Sequence, residues 1–173
     1  MEIKIKSINK ELDSTSKKEY INEEILLPYG EMAAKKASTP ISMSDASILM
    51  DLEVDMCLKI LNTWEVSKYN LDPEDILNTT ILADREKFIY KTLLGKILRL
   101  IPGGVTILSI GINDSLARRF TQALGYAISE LASSYINLVI DKEEANPVEI
   151  FTKEAIEDLM DNYLIEYNKT VLN

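Results

Sequence analysis

The amino-acid sequence predicts an all-α protein, a compact bundle of about five helices that includes one unusually long helix. The chain of 173 residues contains only six glycines and five prolines, too few for the many turns of a β-sandwich. Apolar residues recur at helical spacing along most of the chain, and helix-start signals separate the segments. This length fits one domain that buries its own core without disulfides or metals.

Residues 1–20 differ from the rest of the chain. We expect a flexible or edge segment there and a single helical domain over residues 21–173. Ile3 and Ile5 alternate with charged residues, which is the pattern of a short N-terminal strand. Residues 13–18 are polar enough to predict a loop or disorder.

Two helices are predicted next. Leu, Ala, Glu and Lys favour a helix over residues 21–37, although we expect Pro28 and Gly30 to split or delay it. After an extended turn, the hydroxyl of Ser44 is a good N-cap for a second helix that should reach residue 67.

The strongest helix-start signal is Asp72 followed by Pro73, because Asp caps a helix and Pro is favoured at its first position. This third helix should reach residue 99. A Pro-Gly-Gly corner at residues 102–104 then leads to the long helix, predicted over residues 105–140.

The chain closes with a polar linker and a last helix. The linker is predicted over residues 141–147, and Thr152 should cap a helix over residues 153–169. The apolar side of that helix carries Ile156, Leu159, Met160, Tyr163 and Tyr167.

Residues for catalysis are scarce. The chain has no histidine, which is the commonest general base and transition-metal ligand, and its single cysteine, Cys57, falls on the apolar side of its helix. Residues 103–106 lack the lysine of a phosphate-binding loop. Asp51 and Asp55 lie one turn apart, which is usually a solvated face and only rarely a cation site. We therefore expect no enzyme activity, no cofactor and no metal.

Charge and composition bear on partners and location. A net charge of -9 argues against nucleic acid and anionic lipid as partners, since both need concentrated Lys and Arg. One cysteine suits a reducing compartment, so we expect the cytoplasm. We find no apolar stretch of spanning length. A weak peripheral membrane contact through Trp64 and Tyr69 stays open as an alternative.

Two polar residues occupy apolar faces. On helical wheels, Glu53 and Asn113 each lie at the centre of the apolar side of their helix, so both should point inward and need hydrogen-bond partners. One hypothesis is that they bond to each other, directly or through a water. The alternative is that backbone groups satisfy them, or that Glu53 pairs with a base.

Polar residues at the start of the long helix form the predicted partner-binding surface. Arg118 and Arg119 are expected to project from the polar face beside Asp114 and Gln122. They either contact an acidic partner or form ion pairs within the chain. A stripe of small residues on the same broad side predicts close helix packing. It comprises Gly111, Ser115, Gly125, Ser129 and Ser133.

Two segments carry a family resemblance. The first is Ser38-Thr39-Pro40-Ile41-Ser42-Met43-Ser44-Asp45, followed by Glu53 and Met56. The second comprises Ile101-Pro102-Gly103, Ile112-Asn113 and Thr121-Gln122-Ala123-Leu124-Gly125. Over residues 32–136 the chain resembles the helical domain of unknown function that follows the GTPase domain in bacterial Era-like and interferon-inducible-type GTPases. The resemblance implies an all-helical module that works beside a nucleotide switch.

Three functions follow as hypotheses. The first is a non-enzymatic helical protein-interaction module that acts in trans on a protein partner, which would be a GTPase or a toxin. The second is an acidic immunity or antitoxin protein that occludes a toxin, which the small size and negative charge favour. The third is a peripheral membrane-associated module.

Overall fold

The computed structural model describes residues 13–38, 49–80, 114–141 and 145–171, with side chains up to residue 167. The protein is an all-α bundle, as predicted. In chain order the helices of these described residues are α1 (Ser14–Tyr20), a π-helical turn (Ile21–Leu26), α2 (Leu27–Lys36), α3 (Met50–Thr63), a 3₁₀ turn (Val66–Tyr69), α4 (Pro73–Thr79), α5 (Asp114–Ile140), α6 (Pro147–Ile150) and α7 (Lys153–Val171). The predicted strand, the Ser44 cap and the Pro-Gly-Gly corner lie outside the described residues.

The prediction of a loop or disorder at residues 13–18 is wrong, because α1 forms there. The Asp13 carboxylate caps α1 by accepting a hydrogen bond from the Ser16 N–H at 2.8 Å. The ammonium group of Lys18 lies 2.8 Å from the Glu130 carboxylate on α5, which fastens α1 to the bundle. The polar composition of this segment is that of a surface helix.

A π-helical turn joins α1 to α2, so that the three segments form one continuous helix. Pro28 has no N–H, and its ring clashes with the carbonyl of the residue four positions earlier in a regular α-helix. The turn before it is widened, so that the Leu27 N–H donates to the Asn22 carbonyl, five residues back. The predicted split at Pro28 therefore appears as a wider turn, and the helix does not break.

Helix α3 ends earlier than predicted, at Thr63. Glu65 and Asn70 both adopt left-handed backbone angles, with φ of 58° and 59°, and the 3₁₀ turn lies between them. The next start is as predicted, because the Asp72 carboxylate accepts a hydrogen bond from the Glu74 N–H at 2.8 Å and Pro73 opens α4. The predicted extension of this helix to residue 99 lies outside the described residues.

The central helix is α5, which packs against α2, α3 and α7. Close packing through small residues is confirmed at Gly125. The Leu26 and Met56 side chains occupy the space that a Cβ atom would need there. Ser129 and Ser133 on the same stripe are buried as well. Among the described residues, the largest fully buried side chains are Phe120, Ile21, Leu49, Met56, Ile60, Leu61 and Leu77.

By length and composition α5 is apolar enough to cross a membrane, contrary to the expectation that no segment is. However, 61% of its most apolar stretch is buried inside the protein. A helix surrounded by other helices is apolar because it packs against them, so its composition is weak evidence for a membrane span.

The C-terminal region contains one helix that the sequence analysis missed. Asn146 caps α6 by accepting a hydrogen bond from the Val148 N–H at 3.2 Å, within the predicted linker. The predicted cap at Thr152 is confirmed, since its hydroxyl accepts a hydrogen bond from the Ala155 N–H at 3.2 Å. Helix α7 buries Ile156 and Met160 against the bundle, on the side predicted.

Candidate interaction surface

The predicted inward position of Glu53 is confirmed, because its exposed fraction is 0%. The Thr121 hydroxyl on α5 donates a hydrogen bond to the Glu53 carboxylate at 3.3 Å. Asn113 lies outside the described residues, so the pairing of Glu53 with Asn113 stays a prediction. One turn along α3, the Cys57 thiol is fully buried, and burial together with the Glu53 charge raises its pKa. Cys57 is therefore a core residue, as its place on the apolar side of the helix predicted.

The four residues predicted to bind a partner do not share one surface. Arg118 forms an ion pair with Glu31 on α2, with its Nε 2.9 Å from one carboxylate oxygen and its Nη2 3.1 Å from the other. Gln122 is 4% exposed and lies against Gly30, so its expected place on the polar face is wrong. Asp114 is exposed, and its carboxylate accepts a hydrogen bond from the Ser115 N–H at 2.8 Å.

The fourth residue, Arg119, turns toward α7. Its guanidinium carbon lies 5.0 Å from the centre of the Tyr167 ring, which is a cation–π contact. Tyr163 stands one turn before Tyr167, and the two ring centres are 6.5 Å apart. The Tyr163 ring also lies 5.1 Å from that of Tyr126 on α5. We call these four residues, Arg119, Tyr126, Tyr163 and Tyr167, the tyrosine surface.

All four side chains of the tyrosine surface are partly exposed. Burial raises the pKa of Tyr163, with smaller contributions from the two neighbouring tyrosines, so its phenol stays neutral. Burial also raises the pKa of Tyr126, assisted by the Glu130 carboxylate. In the described part of the chain, the three phenol hydroxyls make no hydrogen bond.

Sequence reasoning placed Tyr163 and Tyr167 on the apolar side of the last helix, but did not join them to Arg119. The i, i+4 spacing shows that the two tyrosines share a helix face. The contact with α5 depends on how the two helices are aligned, and neither segment carries that information by itself.

Trp64 is buried, which removes it from the suggested lipid contact. Its indole N–H donates a hydrogen bond to the Ser129 hydroxyl at 2.9 Å, and the Lys17 ammonium group lies 6.0 Å from the ring centre. The carboxylate of Glu65, the next residue, forms ion pairs with the ammonium groups of Lys68 at 2.6 Å and Lys17 at 3.1 Å. These hydrogen-bonded lysines, Lys68 first, hold the pKa of the Glu65 carboxyl below its usual value. The cluster fastens α1 to the turn after α3.

Of the acidic pair on α3, Asp55 is engaged with neighbouring side chains. Asp51 and Asp55 are both exposed, as expected for a solvated face. The Asp55 carboxylate accepts a hydrogen bond from the Tyr29 hydroxyl and lies 3.5 Å from the Lys59 ammonium group. Within the described ranges, no three potential metal-ligating residues come together.

Two surface clefts are lined by residues that the structure describes. One, of about 300 Å³, separates α1 from Trp64 and the last turn of α5. The other, of about 250 Å³, lies between α4 and α6. Neither includes a residue of the tyrosine surface.

Comparisons of the chain with protein-family models, curated proteins and solved structures find no match.

Proposed function

We propose that this chain is a non-enzymatic helical protein-interaction module that binds a protein partner in trans through the tyrosine surface. The observation that supports this most is that three partly exposed tyrosines contact one another in a row, and that Arg119 contacts the last of them. Tyr and Arg are the side chains most enriched at the centres of protein interfaces, together with Trp.

The tyrosine surface is ordered before any partner arrives. The ring contacts at 5.1 Å and 6.5 Å and the cation–π contact at 5.0 Å restrict the side chains, so less conformational entropy is lost on binding. Each phenol presents an apolar ring and a polar hydroxyl, which suits a contact with both peptide groups and apolar side chains.

Arg119 adds charge selectivity to this surface. In the described part of the chain its guanidinium makes no ion pair, whereas Arg118 is held by Glu31. A guanidinium that lies over an aromatic ring keeps its N–H groups free at the edge of the guanidinium plane, where a carboxylate binds them in a bidentate way. The proposed partner therefore offers an acidic residue beside an apolar one.

The resemblance to the helical domain of bacterial GTPases supports a GTPase as the partner. A second candidate function is the acidic immunity or antitoxin protein, with a toxin as the partner. The charge distribution favours it, because residues 141–173 contain nine acidic and three basic residues and so carry most of the net charge of -9. Both candidates are interaction proteins, and the identity of the partner separates them.

Photo-crosslinking in the cells that produce the protein tests the proposal. Benzoylphenylalanine in place of Tyr167 should crosslink to one specific protein, and mass spectrometry identifies it as a GTPase, a toxin or another class. The matched control carries the same group in place of Asn162, which is exposed on the opposite side of α7.

Arg119→Ala should reduce the Tyr167 crosslink about tenfold or more, the effect of losing an interface hot spot. Circular dichroism of the variant verifies that the fold is retained. Equal crosslinking from positions 162 and 167, or crosslinking that Arg119→Ala leaves unchanged, would show that this surface does not bind the partner.

A further inference from the structure

The cleft between α4 and α6 combines an apolar floor with an acidic rim, and we call it the acidic cleft. Its volume is about 250 Å³. This is below the roughly 300–1,000 Å³ of sites that enclose small organic ligands, so it suits one or two side chains of a peptide better. Its lining residues are Asn70, Leu71, Asp72, Asp75, Ile76, Thr79, Pro147, Val148 and Phe151.

An exposed valine stands at the edge of this cleft. Val148 is 71% exposed, the largest fraction among the large apolar side chains of the described residues. Below it, Ile76 and Phe151 are 3% exposed and belong to the core. The apolar surface therefore continues from the core to the outside, which is the arrangement of an anchor pocket for an apolar side chain.

Two carboxylates, those of Asp72 and Asp75, line the cleft beside its apolar floor. Among the described lining residues there is no lysine or arginine. Glu149 on α6 and Glu74 on α4 are exposed beside it. The Asp75 carboxylate makes no hydrogen bond or ion pair with the described part of the chain, whereas Asp72 is occupied as the cap of α4. Among these described residues, no lysine or arginine competes with a cation that binds at Asp75.

We infer that the acidic cleft docks a short segment of a partner protein in which a lysine or arginine neighbours a bulky apolar residue. The apolar side chain packs against Val148 and Phe151, and the cation pairs with Asp75. Charge complementarity selects this occupant, since an acidic or neutral apolar segment would leave the rim carboxylates unpaired. The inference is independent of the proposed function at the tyrosine surface, because the two surfaces share no residue.

Selection from a library of random short peptides, displayed on phage and panned on the full chain, tests this inference. The enriched peptides should combine a basic and a bulky apolar residue. Fluorescence polarisation then measures the affinity of the best peptide for the wild-type chain and for variants. Val148→Ser removes the exposed anchor and should weaken binding about tenfold. Asp75→Asn removes an exposed ion pair and should weaken it about two- to fivefold, more at low salt.

Two matched controls lie on the outer face of α7. Ile165→Ser removes an exposed apolar side chain and Asp158→Asn an exposed carboxylate, both outside the acidic cleft. Neither should change the affinity. The inference is overturned if no peptide is enriched, if the enriched peptides lack basic residues, or if the control variants weaken binding as much as the cleft variants do. Because the tyrosine surface is intact in all four variants, failure here leaves the crosslinking test unaffected.

Discussion

Replacing Gly125 with alanine should destabilise the bundle, although alanine is the better helix former. A Cβ at this position would lie 2.3 Å from the Leu26 Cδ2, 3.0 Å from the Met56 Sδ and 3.1 Å from the Ile60 Cδ1. Carbon atoms pack at about 3.5–4.0 Å, so the Leu26 methyl group must move by about 1 Å or more. Leu26 is buried, so the surrounding core must absorb this movement.

The expected change in the free energy of unfolding is the difference between a packing cost and a gain in helix propensity. Overpacking a filled core costs about 1–3 kcal/mol, and exchanging Gly for Ala inside a helix returns about 1 kcal/mol. Because three buried side chains meet the new methyl group, we expect the cost toward its upper end and a net loss of about 1–2 kcal/mol in the free energy of unfolding. Urea denaturation of wild type and variant measures it.

A second substitution tests the cause. Leu26→Ala by itself should cost about 2–5 kcal/mol, but less when Gly125 is already alanine, since the smaller side chain relieves the clash. Ser134→Ala, at an exposed position on α5, is the control and should change stability by no more than about 0.5 kcal/mol. A stabilising Gly125→Ala, or a double variant whose effects simply add, would refute the clash.

Three further predictions concern two single side chains and one pair. Glu65→Gln should lose about 0.5 kcal/mol, a value discounted because the side chain is 37% exposed to screening solvent. Since folding lowers the pKa of this carboxyl, the stabilisation is present above its ordinary value of about 4.3 and is lost as pH falls through the lowered value. Urea denaturation should therefore show that the variant has a lower free energy of unfolding than the wild type at neutral pH, and that this difference vanishes in acid. A difference that persists in acid would exclude the ion pairs as its source. Cys57 should react with a thiol reagent such as DTNB only after unfolding in urea, because its thiol is buried and its pKa raised; rapid labelling of the folded chain would contradict this. Finally, a double-mutant cycle of Glu53→Leu and Asn113→Leu should give a coupling above about 0.5 kcal/mol, and a value near zero means that these side chains do not interact.

Features set by a few neighbouring residues could be predicted from the sequence. The Asp72 cap with Pro73, and the Thr152 cap of α7, depend on a side chain and a backbone N–H two or three residues away. The inward position of Glu53 follows from helical periodicity, because its neighbours on the wheel are apolar. Both partners of such a local interaction lie in one segment, so the sequence of that segment is enough to predict it.

The secondary-structure prediction from local composition was wrong where a helix is stabilised by residues distant in the sequence. Residues 13–18 are polar, and α1 is fastened through ion pairs of Lys17 with Glu65 and of Lys18 with Glu130. Helix α6 is only four residues long, too short for periodicity to reveal, so its Asn146 cap was read as part of a linker.

Only the tertiary structure decided which side of α5 each polar residue faces. Arg118, Arg119 and Gln122 lie within little more than one turn, yet one pairs with α2, one stacks on α7 and one is buried against Gly30. The sequence determined that α5 is a helix with polar residues at its start. Whether a given residue there is buried depends on where the neighbouring helices cross α5, and those crossings are set by packing over the whole bundle.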